Sequence, residues 1–174
     1  MNPNDLFGDI PAVVVGGVAT RAYAPERHTK DVDFLIDHLR FVEAGQRLSK
    51  AGFIKDRDLL FPNASLQLYG QAWFRGSELI DVISTPQEWG RLALRRPVMD
   101  PTGLPVVSLP FLVLMKFDAA RGVDQGDLTR MLGRLDDEAV EALIREVECY
   151  SSDPSFADDV RQYVLLGRWE WGMG

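Results

Sequence analysis

The stretch VGGVATRAYAPERHTKDVDFLI, residues 15–36, decides the reading of this chain. It joins the end of an apolar run, AVVVGG at 12–17, to a second run, DVDFLI at 31–36. A β-branched run that stops at two glycines reads as a buried strand entering a tight turn. VATRAYA at 18–24 reads as a short helix stopped by Pro25. DVDFLI alternates at first and then turns apolar, the pattern of a strand at a sheet centre.

On such a strand Asp31 and Asp33 share one face, and Phe34 and Ile36 point the other way. Two carboxylates on one face repel each other unless a cation joins them. Mg²⁺ suits them, because it takes hard oxygen ligands, commonly one or two carboxylates plus substrate phosphates. Acidic residues fill 26 of 174 positions, so about four such pairs arise by chance, and the pair alone is not diagnostic. Asp81 adds weight. It interrupts the apolar strand ELIDVI at 78–83, where a lone carboxylate needs a partner. Beside Asp31 and Asp33 it would complete a three-carboxylate metal site; otherwise it sits at an edge or pairs with an arginine.

Outward from this centre, residues 38–51 place Leu39, Val42 and Leu48 at roughly helical spacing, with Gly52 as the stop. LQLYG at 66–70, AWFRG at 72–76 and ELIDVI suggest a meander of antiparallel strands. Ser84–Thr85–Pro86 reads as a helix start, and VVSL at 106–109 as a further strand. After Pro110 four helical segments follow: PFLVLMKFDAARG, DLTRMLGRL, DEAVEALIREVECY and FADDVRQYVLLGRW. GRWEWGMG at the end reads as a partly ordered tail or a packing strap. Strands first and helices last argue for an α+β fold, with a core over 1–109 and a C-terminal helical region over 110–174 packed on it.

Composition sets outer bounds. Hydrophobic residues make up 46% and charged residues 26%, as in ordinary globular proteins. The single cysteine, Cys149, excludes an internal disulfide and a CxxC metal site, and favours a reducing, cytoplasmic setting. MNPNDLFGDI lacks the basic region of a secretory signal, and the apolar runs are too short for a bilayer. A net charge of −7 disfavours extended nucleic-acid binding. Arg91, Arg95 and Arg96 then read as a solvated helix face, and His28 and His38 have no companion at metal-ligand spacing.

The order of these pieces resembles the nucleotidyltransferase superfamily of DNA polymerase beta. There an apolar strand, a GG or GS turn, a helix and a D-x-D strand follow one another. The local form, GG-x-A, Tyr23, then Arg27-x-Thr29-x-Asp31-x-Asp33-Phe34, looks most like the AbiEii-type members, which include toxin halves of toxin–antitoxin pairs. ELIDVI carries Asp81 where that superfamily places its third carboxylate. LMKFDAARGVDQGDLTRML at 114–132 resembles the family's C-terminal motif, with Lys116, Arg121, Asp124 and Asp127, although Val123 stands where a basic residue is frequent. The last forty or so residues lie outside the resemblance.

The resemblance implies an enzyme that moves a nucleoside monophosphate from an NTP to an acceptor, with Mg²⁺ or Mn²⁺ at Asp31, Asp33 and Asp81. Asp81 would complete a second metal site or accept the acceptor's proton. Gly16 and Gly17 would let the backbone approach the triphosphate. Lys116 and Arg121 would balance developing charge, and Arg27, Thr29, Asp124 and Asp127 would help hold the nucleotide. Other readings stay open: Lys116 as a snorkelling residue, Asp124 and Asp127 as helix-start charges, Arg27 as a partner of Asp31. The acceptor is open too: a tRNA end, a protein side chain or a small hydroxylated molecule. An antitoxin is a possible partner. The competing reading is an inactive module of the same fold that binds nucleotide or a partner protein.

Overall fold

The structure, a computed structural model, describes residues 1–24, 29, 31–62 and 64–172. Its centre is β2, Asp31–Ile36, at the bounds the sequence predicts. Phe34, Leu35 and Ile36 are all buried, so both faces of the strand are covered beyond Asp33. β1, Ala12–Val15, runs antiparallel to it, and β5, Glu78–Ser84, runs parallel on its other side. β4, Tyr69–Arg75, and β3, Ile54–Leu59, extend this side antiparallel. Two short strands, β6 at Val98–Met99 and β7 at Pro105–Val106, extend the other, with β7 parallel to β1. The mixed seven-stranded sheet has the order β3-β4-β5-β2-β1-β7-β6.

Helices cover both faces. α1, Pro3–Phe7, and α3, Phe41–Lys50, lie over the Phe34 face. Phe7 meets Phe34 edge-on with ring centroids 5.2 Å apart, and Gly45 lets α3 close on Trp73. α2, Gly16–Tyr23, packs on β1 and β2. α4, Glu88–Arg95, follows β5, buries Trp89 and leaves Arg91 and Arg95 exposed. α5, Leu109–Ala119, and α6, Gly122–Leu132, both pack on α2 and so join the helical region to the sheet. α7, Asp137–Val147, and α8, Phe156–Glu170, complete that region. α6 and α8 cross where Gly133 meets Gly167. A Cβ on Gly167 would lie 2.2 Å from the Thr129 carbonyl oxygen, so neither position has room for a side chain. The fold is α+β, as expected. Among the described residues, no helix is long and apolar enough to cross a membrane.

Several local readings shift. Gly16 and Gly17 form the first turn of α2 and not a turn before it. Pro86 precedes α4, which starts at Glu88. Ser108 and Leu109 belong to the start of α5, so the strand there is only two residues long. A 3-10 turn over His38–Arg40 delays α3 until Phe41 and rotates its phase. Ala44 and Leu48 then face the core, while Leu39 and Val42 are exposed. α8 continues through Arg168 and Trp169 to Glu170, so the first half of the expected tail is helix. Pro25, Arg27 and His28 lie outside the described residues.

Candidate functional site

The register of the sheet assembles the acidic cluster. Asp33 stands opposite Asp81 in the parallel β2–β5 pair, and Asp31 stands two residues before it on the same face. A ligand oxygen from each of Asp31, Asp33 and Asp81 lies within 4.8 Å of the other two. All three side chains are half-buried, so solvent and ions reach them.

The electrostatics follow from this crowding. Burial, then the Asp31 and Asp81 carboxylates, push Asp33 up to about 7. The Arg121 charge and a hydrogen bond from the Gly17 N–H oppose that shift. Burial and Asp31 also raise Asp81, against the pull of Arg57 on β3. Three carboxylates crowded on one sheet face form a donor set of hard oxygens that fits a divalent cation.

The two glycines seat Asp33. Gly16 has φ +62°, and a Cβ there would lie 1.9 Å from Asp33 Oδ2. Thr29 packs on Gly17, and its hydroxyl donates to Asp31 Oδ1 at 2.5 Å. Tyr23 donates its hydroxyl to the Val107 carbonyl at 2.8 Å, which ties the end of α2 to the segment after β7. Thr29 thus braces Asp31 on β2, and Tyr23 anchors the helix that begins with the two glycines.

The C-terminal motif forms a second cluster. Lys116 is 4% exposed, and its Nζ donates to Asp124 Oδ1 at 3.0 Å and Asp127 Oδ2 at 2.7 Å. Arg121 holds Asp124 through two hydrogen bonds of 2.7 and 3.2 Å, and Arg130 holds Asp127 at 3.0 Å. Lys116 is thus a buried cation between two aspartates and not a snorkelling side chain. Asp124 and Asp127 are buried ion-pair partners on the inner face of α6. Arg121, with a side chain 66% exposed, links the clusters, since its charge acts on Asp33 while its guanidinium is held by Asp124.

Beside Arg121 a cavity of about 480 Å³ opens between α5, α6 and α8. Its lining includes Phe117, Tyr163 and Leu166, with Asp153 and Asp159 on the α8 side. Lys116, Arg121 and Asp124 of the C-terminal motif line it too, whereas Asp153, Asp159, Tyr163 and Leu166, to which the sequence reading assigned no role, lie in the segment that the resemblance does not reach.

Fold and site together define a class: an α+β protein with three carboxylates gathered on one sheet face beside the first turn of a helix. Among solved structures, the chain is similar to the solution structure of the antibiotic-resistance factor ANT(2'')-Ia, with TM-score 0.47 and 14% identity over 94% of this chain and 85% of that one. It is also similar to the crystal structure of ANT(2'')-Ia in complex with adenylyl-2''-tobramycin, with TM-score 0.48 and 16% identity over 94% of this chain and 90% of that one. Likenesses of this size add no argument to the geometry. No family model matches the chain, and no curated protein matches it.

Proposed function

We propose that the chain is a nucleotidyltransferase that moves a nucleoside monophosphate from an NTP to a hydroxyl acceptor. The observation that supports this best is the convergence of Asp31, Asp33 and Asp81 within 4.8 Å. The sequence resemblance stated above points to the same three residues.

Asp31, Asp33 and Asp81 are the residues that would hold Mg²⁺ or Mn²⁺, which when bound neutralises phosphate charge. Asp33 is held in place by Gly16 and Gly17, and Asp31 by Thr29. In the reaction the acceptor oxygen bonds to the α-phosphorus, and the bond from that phosphorus to the bridging oxygen breaks, releasing pyrophosphate. Asp81 would complete a second metal site or, in the alternative, accept the acceptor proton. Arg121, exposed and with its charge acting on Asp33, would offer a cation to the leaving pyrophosphate. Lys116 acts through Asp124, which holds Arg121, because both of its neighbours already occupy it. Arg27 would contact the nucleotide, as the sequence resemblance implies.

The test is transfer of labelled α-phosphate from each of the four NTPs, with Mg²⁺ or Mn²⁺, onto total RNA, protein and small molecules of a lysate. Transfer that disappears in Asp31→Ala and Asp33→Ala supports the proposal. NTP binding that survives both metal removal and Asp33→Ala, with no transfer, would leave a binding module in its place.

A further inference from the structure

The sheet register puts more than the carboxylates on one face. Asp33 stands opposite Asp81, Asp81 opposite Ala72, and Ala72 opposite Arg57, in a row that crosses four strands to the β3 edge. Directly opposite residues share a face, so Arg57 lies on the face of the three carboxylates. A bulge in β3 brings it there. Lys55 is opposite Trp73, on the face that α3 covers, and regular alternation would send residue 57 to that same face. The register shifts between Lys55 and Arg57, which re-aims Arg57 to the other side. Lys55 stays behind with Asp58, its ion-pair partner at 2.7 Å.

The surface around Arg57 is open and apolar. In the neighbouring row Asp31 is opposite Leu79, Leu79 opposite Phe74, and Phe74 opposite Ile54. Leu79 is 46% exposed and Ile54 59%, so this corner of the carboxylate face is left open. Ala72 puts only a methyl group between Arg57 and Asp81, whose backbones stand two strand spacings, about 10 Å, apart.

Charge divides the site into two sides. Arg121 acts on Asp33 from the helical region, and Arg57 acts on Asp81 from β3. With Arg121 on the pyrophosphate side, Arg57 is left for the acceptor. Its ion pair with the adjacent Asp56 is exposed and of the kind worth little, so a bound anion can displace it. One arginine beside apolar surface suits one phosphate or carboxylate. A nucleic-acid strand would need a track of cations, and the bulge splits Lys55 and Arg57 between opposite faces.

We propose that Arg57 selects the acceptor. It binds the phosphate or carboxylate of a small hydroxylated molecule, whose apolar part rests on Phe74 and Leu79 and whose hydroxyl reaches the three carboxylates. This rests on the transferase reading for the acceptor's role, while the anion contact can be tested without any transfer.

The probes are 4-(hydroxymethyl)benzoate and 4-(hydroxymethyl)phenyl phosphate, with uncharged 1,4-benzenedimethanol and cationic 4-(hydroxymethyl)benzylamine as controls. Each is titrated into the full chain with Mg²⁺ while backbone amide shifts are followed by NMR. The expected result is saturable shifts confined to β3, β4 and β5, with an anionic probe bound about tenfold tighter than either control, the scale of one charge-assisted contact. The tighter of the two anionic probes identifies the group that Arg57 takes. Arg57→Ala should abolish the preference, and Arg57→Lys should keep part of it. In the transfer assay Arg57→Ala should raise the KM for an anionic acceptor about tenfold and leave the KM for NTP unchanged. Equal binding of charged and uncharged probes, no binding, a preference that survives in Arg57→Ala, or label found on RNA overturns the proposal. Such a failure with label transfer intact leaves the transferase reading standing. Binding as expected with no transfer to any acceptor overturns that reading and leaves Arg57 as the centre of an anion site.

Discussion

Gly16 and Asp33 cannot both carry a side chain in this fold. The Asp33 carboxylate fills the space where a Gly16 Cβ would stand, 1.9 Å from Oδ2, and Gly16 itself sits at φ +62°. The glycine turn and the D-x-D strand are thus one device, since the first makes room for the second. Gly16→Ala should strain the backbone by roughly 1 kcal/mol and displace Asp33. The expected outcome is loss of transfer and of Mg²⁺ binding with only a modest fall in melting temperature. Isothermal titration with Mg²⁺ and a melting curve check it; unchanged metal affinity would contradict the seating role.

The raised affinity of Asp33 for its proton gives a pH dependence in the metal-free protein. The folded state binds this proton up to about pH 7, whereas the unfolded chain releases it near the ordinary carboxylate value of 3.8. Folding therefore favours the protonated form, and stability falls as pH rises from about 4 to about 7. With EDTA present, the melting temperature should drop across that window, and saturating Mg²⁺ should flatten the drop. Asp33→Asn should melt a few degrees above the wild type at pH 8 without metal, since about 1 kcal/mol moves the midpoint by roughly 2–4 °C at this size. A flat metal-free profile would contradict the crowded-carboxylate account.

Much of the site was legible because its signals are local. DVDFLI has the bounds of β2, and Asp81 stood out as a carboxylate inside an apolar strand. What a strand cannot reveal by itself is register, and it is the Asp33–Asp81 pairing that turns three aspartates into a cluster. β3 escaped notice because IKDRDL is exposed along the sheet edge and carries no alternation. β4 read as two pieces because Gly70 looked like a break. In the fold, Leu59 and Phe61 occupy the space beside Gly70, where a Cβ would lie 2.9 Å from Leu59 Cδ1. Neither the α8 cavity nor the Lys116 pairing follows from spacing along one segment, because both depend on how the helices cross.

That crossing is itself a point of test. Gly133 and Gly167 bring α6 and α8 into backbone contact, and a Gly167 Cβ would meet the Thr129 carbonyl oxygen at 2.2 Å. Gly167→Ala should force the helices apart and cost on the order of 1–3 kcal/mol through overpacking. Urea denaturation should show a lower midpoint with unchanged slope. A variant as stable as the wild type would mean that the helices are not packed this closely.

Lys116 separates a structural cation from a catalytic one. Its Nζ is the only lysine ammonium among the described residues bonded to both Asp124 and Asp127. Lys116→Met removes the ammonium that joins two buried carboxylates, which should cost about 3 kcal/mol. Thermal unfolding should therefore detect the substitution before any activity assay does. A Lys116→Met protein with wild-type stability and no transfer would instead place the amine at the substrate.

Arg121 carries the link between the helical region and the sheet, and its removal should be felt in two ways. Its guanidinium is two-thirds exposed and Lys116 still pairs with Asp124, so Arg121→Ala should lower the melting temperature less than Lys116→Met does. Its charge, however, holds Asp33 below where burial and Asp31 would otherwise push it. Without the guanidinium, Asp33 keeps its proton to higher pH, so the metal-free stability profile should level off above about pH 7 and not near it. In the transfer assay the same variant should raise the KM for NTP roughly tenfold, the scale of one lost charge-assisted contact. Arg121→Lys should restore part of the pH profile, because the charge is retained, but less of the KM, because lysine lacks the planar fork that Asp124 grips. If Arg121→Ala leaves both the pH profile and the KM unchanged, the helical motif is packing alone and plays no part in the site.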